Sequence, residues 1–310
     1  MILVTGGTGF LGSHIVGNLN LNKYKVIYTS SKTISEVSYN HSLQSINIDF
    51  SHSFSEKEFP NNIETIIHTA GLSQKDCFSN LDLAKKVNID NSIKLAKIAI
   101  KKSVKRFFFL SSVHVYGSNL IGEVGEKFKT KPYDNYSKTK LDAENELINI
   151  FQKSDIDLTI LRLSNVFGAP TNIHSNIWHL IGPHLCMQAV KKKEMKLESN
   201  GLQTRDFIGI KDFLKIIIKL VNYDIVPSCK IYNCGSGKPI LIRELAERIK
   251  NRCEDLFNTD VDLILGTNDT DKSNYIFNSN QLFSKINFIP SENLNYEIDE
   301  FLKFCANINN

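Results

Sequence analysis

Residues 2–12 read ILVTGGTGFLG. Ile2 to Val4 reads as a short strand, and glycines follow at Gly6, Gly9 and Gly12. Helical spacing of apolar residues then runs from residue 10 to 20. A glycine turn between a strand and a helix is where a pyrophosphate binds. Gly6 permits the tight turn, Gly9 lets the backbone approach the phosphates, and Gly12 lets the helix pack closely on the strand. The helix N-terminus then faces the anion. An ordinary βα turn can carry the same glycines, so the rest of the chain decides.

Short apolar runs alternate with amphipathic stretches. Ile2 to Val4, Val26 to Tyr28, Ser45 to Ile48, Thr65 to Thr69, Arg106 to Leu110 and Leu158 to Arg162 read as strands. Residues 10–20, 80–101 and 136–153 have helical spacing. This alternation predicts an α/β fold of the Rossmann type, a doubly wound parallel sheet. The unbroken run Phe107-Phe108-Phe109-Leu110 fits a sheet covered on both faces. After residue 166 the rhythm changes. Helices are expected over 176–193, 211–221 and 242–254, with a strand over 230–233. The expectation is a smaller C-terminal lobe.

Composition narrows the class. At 310 residues, 42% hydrophobic and 23% charged, the chain reads as a soluble globular enzyme rather than a disordered one. A formal charge of +4 suits a small anionic ligand and is too weak to argue for nucleic acid. The run Lys191-Lys192-Lys193 reads as a solvated helix end. Six cysteines occur with no C-x-x-C pair, so neither a metal site nor a disulfide framework is expected. No apolar run approaches the ~20 residues of a membrane helix, and no signal peptide opens the chain. A cytoplasmic placement with free thiols is expected, without a membrane partner.

The glycines follow a T-G-x-x-G-x-x-G spacing, and further segments join them: IIHTAG (66–71), VNIDNSIKLAKIA (87–99), FFFLSSVHVYG (107–117), YSKTK (136–140), LRLSNVFG (161–168), QTRDFIGIKD (203–212) and YNCGSGKPILIRELAE (232–247). Together they resemble the extended branch of the short-chain dehydrogenase/reductase superfamily, the nucleotide-sugar epimerases, dehydratases and reductases. The resemblance implies a dinucleotide-binding domain over 1–165, with 203–234 returning to it. It places a substrate-binding lobe over 166–202 and 235–310. Cofactor contacts are implied for Gly6, Gly9, Phe10, Leu11, Gly12, Thr69, Ala70, Gly71 and Asn88. They are also implied for Asp49 and Phe50, the aspartate in the place that reads the adenine amino group. A homodimer and a role in cell-surface polysaccharide synthesis are implied as well.

Tyr136 and Lys140 are four residues apart, on one face of a helix. An unperturbed phenol titrates near ~10, and a neighbouring ammonium lowers that value. Tyr136 can then exchange a proton with a sugar oxygen while a nicotinamide exchanges the hydride. Lys140 can also bind the nicotinamide ribose. In the resemblance Ser112 is the catalytic serine, three residues before Val115, and it also touches the substrate; Ser111 faces the other side of the strand. Dehydratases resembling this chain carry Asp-Glu where Val113 and His114 stand. With no carboxylate there, water elimination is not expected. His114 either contacts the sugar, serves as a second acid or base, or packs beside the strand end.

The second strand runs into Ser30, Ser31 and Lys32, with no acid to repel a 2′-phosphate, so NADP is favoured over NAD. Asn165, Asn176 and Arg205 occupy places where relatives contact sugar and diphosphate, and a planar guanidinium suits the latter. Arg205 could instead serve a structural ion pair with Asp206 or Asp212. Trp178 either walls a base or sugar or packs into the core. Where relatives supply a second diphosphate arginine, only Lys272 stands nearby. The expected activity is NAD(P)-dependent oxidoreduction of a nucleotide-diphosphate sugar, at C4, with a 4-ketoreductase slightly favoured over a 4-epimerase. The other readings are a reductase of a non-sugar carbonyl and a catalytically silent dinucleotide sensor.

Overall fold

The structure, a computed structural model, describes residues 1–31, 43–171, 173–268, 272–291 and 293–308. In chain order come β1 (Ile2–Thr5), α1 (Phe10–Leu21), β2 (Val26–Ser30), β3 (Gln44–Asn47), β4 (Thr65–His68), α2 (Gln74–Ser79), α3 (Leu81–Lys85), α4 (Asn91–Lys101), β5 (Arg106–Ser112), β6 (Ile121–Val124), α5 (Asn135–Phe151) and β7 (Asp157–Leu163). They continue as β8 (Asn165–Phe167), α6 (Ile181–Lys192), β9 (Glu194–Ser199), β10 (Thr204–Gly209), α7 (Ile210–Val221), β11 (Cys229–Cys234), β12 (Pro239–Leu241), α8 (Ile242–Phe257), β13 (Asp262–Asn268), β14 (Asn274–Phe277), α9 (Asn280–Ile286) and α10 (Leu294–Asn307).

Seven strands form one sheet in the order β3-β2-β1-β4-β5-β7-β11. β1 pairs in parallel with both β2 and β4, β4 with β5, and β5 with β7. The strand order therefore reverses between β1 and β4. In an open parallel sheet, ligands bind beyond the carboxyl ends of strands at such a switch point. The apolar run in β5 is explained by its central place, where every residue from Arg106 to Ser112 is buried. Leu3, Ile27, Ile66, Phe107 and Leu158 from the sheet pack with Leu95 of α4 and Leu147 and Phe151 of α5.

Two compact units divide the chain. The first comprises residues 1–117, 129–163 and 217–232; the second comprises 118–128, 164–216 and 233–310. In the first, the return segment 217–232 is tied down by a buried arginine. Arg106 pairs with Asp157 and donates to the carbonyls of Leu220, Val221 and Tyr223. Each of those donors is thereby satisfied out of water. In the second unit, β12-β10-β8 form a small sheet, and α6, α8 and α10 pack on one another. There Asp206 is fully buried and accepts from the Ser236 N–H and hydroxyl, which fixes the turn after β11.

The segment expected to be helical over 80–101 is helical from Leu81 to Lys101, with a π-helical turn over Lys86–Asp90 between α3 and α4. The helix expected to start at residue 176 begins at Ile181. Pro183 is the reason. It is tolerated in a first turn, whereas a start at 176 would bury it in the helix interior, without an N–H and against the preceding turn.

Candidate active site

The glycine turn sits at the switch point between β1 and β4. Gly6 has φ +65, and a Cβ there would lie 2.8 Å from Ala70 Cα. A Cβ on Gly12 would lie 2.1 Å from the Gly6 carbonyl oxygen and 2.8 Å from Thr69 Oγ1. Thr69 in turn donates to the Thr5 carbonyl at 2.6 Å. These residues therefore lock β1, the turn and β4 together. Gly9 differs: an added Cβ would meet only the Gly6 oxygen, at 3.3 Å. Its outer side leaves the backbone open to approach. Gly9 is also the N-cap of α1, with no side-chain cap and no acid in the first turn, where Phe10, Leu11 and Gly12 stand. The backbone N–H groups of that turn suit an anion. The residues present fit a dinucleotide.

One residue of this turn escaped the sequence reading. A Cβ on Gly7 would come within 2.5 Å of Tyr28 Cβ, so Gly7 is required for packing on β2. Its signal was its place between Gly6 and the rest of the turn.

The other expected cofactor residues divide. Asp49 is half-buried and receives the Ser51 N–H at 2.7 Å. Burial pushes its carboxyl up, but bonds from Ser51 and His52 outweigh this and leave it below the usual range. Phe50 packs in the core against Phe54 and His68, and its carbonyl accepts from Asn91. Ser30 is buried at the end of β2 and Ser31 is exposed. Lys32 lies outside the described residues. Gly71 lies against Asn88, its added Cβ being 3.2 Å from Oδ1. Asn88, in the π-helical turn, is buried. Its Oδ1 accepts the Leu72 N–H at 2.9 Å, and its Nδ2 donates to Thr139 Oγ1 at 3.0 Å. It thus joins the loop after β4 to α5.

α5 opens on Asp134, whose carboxylate accepts the Ser137 N–H in a capping box. That fixes the helix start and places Tyr136 and Lys140 on successive turns. The Tyr136 hydroxyl hydrogen-bonds to Ser112 at the end of β5, and Ser112 Oγ also accepts the His114 N–H at 3.3 Å. Ser112, Tyr136 and His114 are brought together. The Lys140 ammonium rests over the Phe109 ring, 4.2 Å from its centroid.

The proton affinities run against the expectation for the phenol. Burial pushes Tyr136 up to about 12, with the Ser112 bond a smaller opposing effect. Burial likewise pulls Lys140 down to about 8, opposed by the Glu144 carboxylate. At neutral pH Tyr136 carries its proton, and Lys140 is largely an ammonium. The expected lowering of Tyr136 is corrected: burial exceeds any help from the lysine.

His114 is half-buried. Its ring meets Tyr136 and Tyr133 edge-on, each with centroids 6.2 Å apart, and its Nδ1 lies 3.4 Å from the Tyr133 hydroxyl. Val113 beside it is buried. Ser111 donates to Glu144, so the adjacent serines serve different partners.

In the second unit, Asn165 donates to the Asp206 carbonyl at 2.8 Å. Arg205 is half-buried on β10 and donates to the Thr204 carbonyl at 2.8 Å. Asn176 is exposed in the turns before α6, and Lys272 is exposed. The Trp178 ring stacks on Phe304 and meets Phe301 edge-on, with Nε1 bonded to the Ile173 carbonyl. In this unit it packs against α10. No group of His, Cys, Asp or Glu among the described residues could hold a metal. No helix among them is long and apolar enough to cross a membrane.

Comparison with known proteins agrees with this geometry. A UDP-glucose 4-epimerase of Vibrio cholerae is 31% identical over 259 residues, covering 79% of this chain and 74% of that protein. A solved UDP-N-acetylglucosamine 4-epimerase of Methanobrevibacter ruminantium, in complex with UDP-N-acetylmuramic acid, superposes with a TM-score of 0.84 at 28% identity; it covers 98% of this chain and 97% of that one. A UDP-glucuronic acid 4-epimerase of Bacillus cereus, bound to UDP-glucuronic acid and NAD, shares the fold with a TM-score of 0.84 at 20% identity, over 98% of each chain. Residues 2–235 match the NAD dependent epimerase/dehydratase family. The chain belongs to that family, the nucleotide-sugar enzymes of the extended short-chain dehydrogenase/reductase superfamily.

Proposed function

We propose that the chain interconverts C4 epimers of a nucleotide-diphosphate sugar, with Ser112, Tyr136 and Lys140 as the reacting group and NAD as the retained cofactor. The observation that carries this is the Ser112–Tyr136 hydrogen bond beside Lys140, at the carboxyl end of the sheet. Bound nicotinamide supplies hydride exchange at the sugar carbon. Tyr136 holds a proton at neutral pH and donates it to, or takes it back from, the sugar oxygen. Ser112 orients that oxygen through its hydroxyl. The Lys140 ammonium stabilises negative charge arising on the phenol and is placed to hold the ribose. With Val113 and His114 in place of two carboxylates, no carboxyl group stands there to protonate a leaving hydroxyl.

Ser30, Ser31 and Lys32, with no acid among them, are the residues that favour NADP and a ketoreductase. Solved neighbours bound to NAD support the other choice, and the named 4-epimerase relatives support epimerisation. Gly6, Gly9, Phe10, Leu11, Gly12, Asp49, Thr69 and Ala70 are assigned to the cofactor. Gly71 and Asn88 shape its loop. His114 is assigned to the sugar; the assignments of Arg205 and Asn176 to a diphosphate and of Asn165 to a sugar rest on the family resemblance. A homodimer and a cytoplasmic site of action belong to the same proposal.

The test is direct. Gently purified protein is denatured and its released cofactor identified by mass spectrometry. The native protein is then given UDP-glucose and UDP-N-acetylglucosamine without added cofactor, and products are followed by proton NMR. Released NAD and the C4 epimer of one substrate are expected. Turnover only with added NADPH would replace the epimerase by the reductase.

A further inference from the structure

A buried ion pair lies beneath the Tyr136/Lys140 face of α5. Glu144 follows Lys140 by four residues, so both side chains leave the helix on one face. Arg162 of β7 grips the carboxylate: Nε lies 3.2 Å from Oε1 and 3.1 Å from Oε2, and Nη2 lies 2.6 Å from Oε2. Ser111 donates to Oε1 as well. The guanidinium lies over the Tyr116 ring at 4.8 Å. Glu144 is 1% exposed and Arg162 4%. A carboxylate held by several donors on two strands cannot swing, so its place relative to Lys140 is fixed.

Stability alone does not account for this pair. Replacing a buried ion pair with apolar groups is often neutral or stabilising, because both charges lose their hydration. The surroundings of Lys140 suggest what the pair does. Phe109 of β5 lies beneath the ammonium. His68 of β4 and Cys77 of α2 face it, and Tyr136 stands one turn back on α5. Burial pulls His68 down to about 3, so it is neutral, and pushes the Cys77 thiol up, so it is neutral as well. Tyr136 is protonated. Of these groups Glu144 alone is anionic at neutral pH.

We infer that Glu144, held by Arg162 and Ser111, is a positioning residue that keeps the buried Lys140 side chain charged at neutral pH. The inference rests on reading Lys140 as part of the reacting group. Burial already brings Lys140 down to about 8, and Glu144 opposes that fall. Without the carboxylate, the lysine would lose its proton within the working range of pH.

The titration of Lys140 can be read without turnover. Protein labelled with ¹³C at lysine Cε is titrated by NMR, with Lys140 assigned from Lys140→Met. Three variants are compared: Glu144→Gln, Ser111→Ala, and the double Glu144→Leu/Arg162→Met. The double variant removes both charges at similar volume, and so covers the case in which Glu144→Gln does not fold. Thermal unfolding checks each. The Lys140 midpoint should fall by about one pH unit in Glu144→Gln, fall by less in the double variant, because the Arg162 cation leaves with the carboxylate, and stay in place in Ser111→Ala. The alkaline limb of epimerase activity should move down with it. An unmoved midpoint in a folded variant, or an equal fall in Ser111→Ala, would overturn the inference. A moved midpoint in a protein that turns over no nucleotide sugar would keep the inference about charge and remove the C4 reading.

Discussion

The glycine turn at residues 6–12 and the inner face of α5 at residues 136–144 work by opposite means. The turn works through missing side chains: a Cβ on Gly12 would fall 2.1 Å from a carbonyl oxygen, while the outer side of Gly9 stays open. The helix face works through side chains held by packing, with Lys140 buried and Tyr136 half-buried, where desolvation drives Tyr136 to about 12 and Lys140 to about 8. The difference teaches where tolerance lies. The turn should fail on adding a methyl group. The helix face should fail on moving a proton or a charge, with the shape left intact.

The sharpest contrast should come from Tyr136→Phe, which keeps the ring and removes the proton. Turnover should fall ~10²–10⁴-fold with cofactor affinity nearly unchanged, as steady-state kinetics and calorimetric titration would record. A variant keeping a tenth of its activity would take Tyr136 out of the mechanism. Gly12→Ala is the reverse case. Overpacking of about 1–3 kcal/mol, or more against backbone, should lower both thermal stability and the amount of retained cofactor. Wild-type cofactor content in Gly12→Ala would break the account of the turn.

A smaller effect is expected in the second unit. Arg205→Ala should raise KM for the nucleotide sugar by about 10- to 100-fold, about the 1.5–3 kcal/mol of a charge-assisted bond, and leave kcat almost alone. A diphosphate contact acts alike in the ground and transition states. An unchanged KM would return Arg205 to a structural role. The smallest effect should be that of His114→Gln, a loss of a few-fold in kcat at constant cofactor affinity, about what one neutral hydrogen bond contributes. Weakened cofactor binding in that variant would place His114 outside the sugar site.

Much of this was legible in the sequence, and the exceptions have physical causes. The parallel strands announced themselves because a sheet covered on both faces permits unbroken apolar runs. The glycine spacing and the Tyr136/Lys140 pair were readable because they are local. The π-helical turn at Lys86–Asp90 was not, since apolar spacing continues through it. What inserts the extra residue is the inward reach of Asn88 to Leu72 and Thr139, partners distant in sequence. The late start of α6 was in principle readable from Pro183. Glu144 gave only a weak sign, an acid four residues after Lys140. Arg162, a cation among the apolar residues of β7, required a buried partner whose identity only the fold supplies. The rise of Tyr136 was invisible for the same reason: burial is a property of the packed chain.

The proposed activity is C4 epimerisation, for which bound NAD would supply removal of the C4 hydrogen as hydride and its return to the other face of the same sugar. The direct measurement gives the protein UDP-glucose deuterated at C4, without added cofactor, and reads the product by NMR and mass spectrometry. UDP-N-acetylglucosamine with the same label covers the second substrate class. The account predicts that the C4 epimer forms with deuterium still on C4. An epimer that has lost deuterium from C4, or no epimer from either substrate, would contradict it.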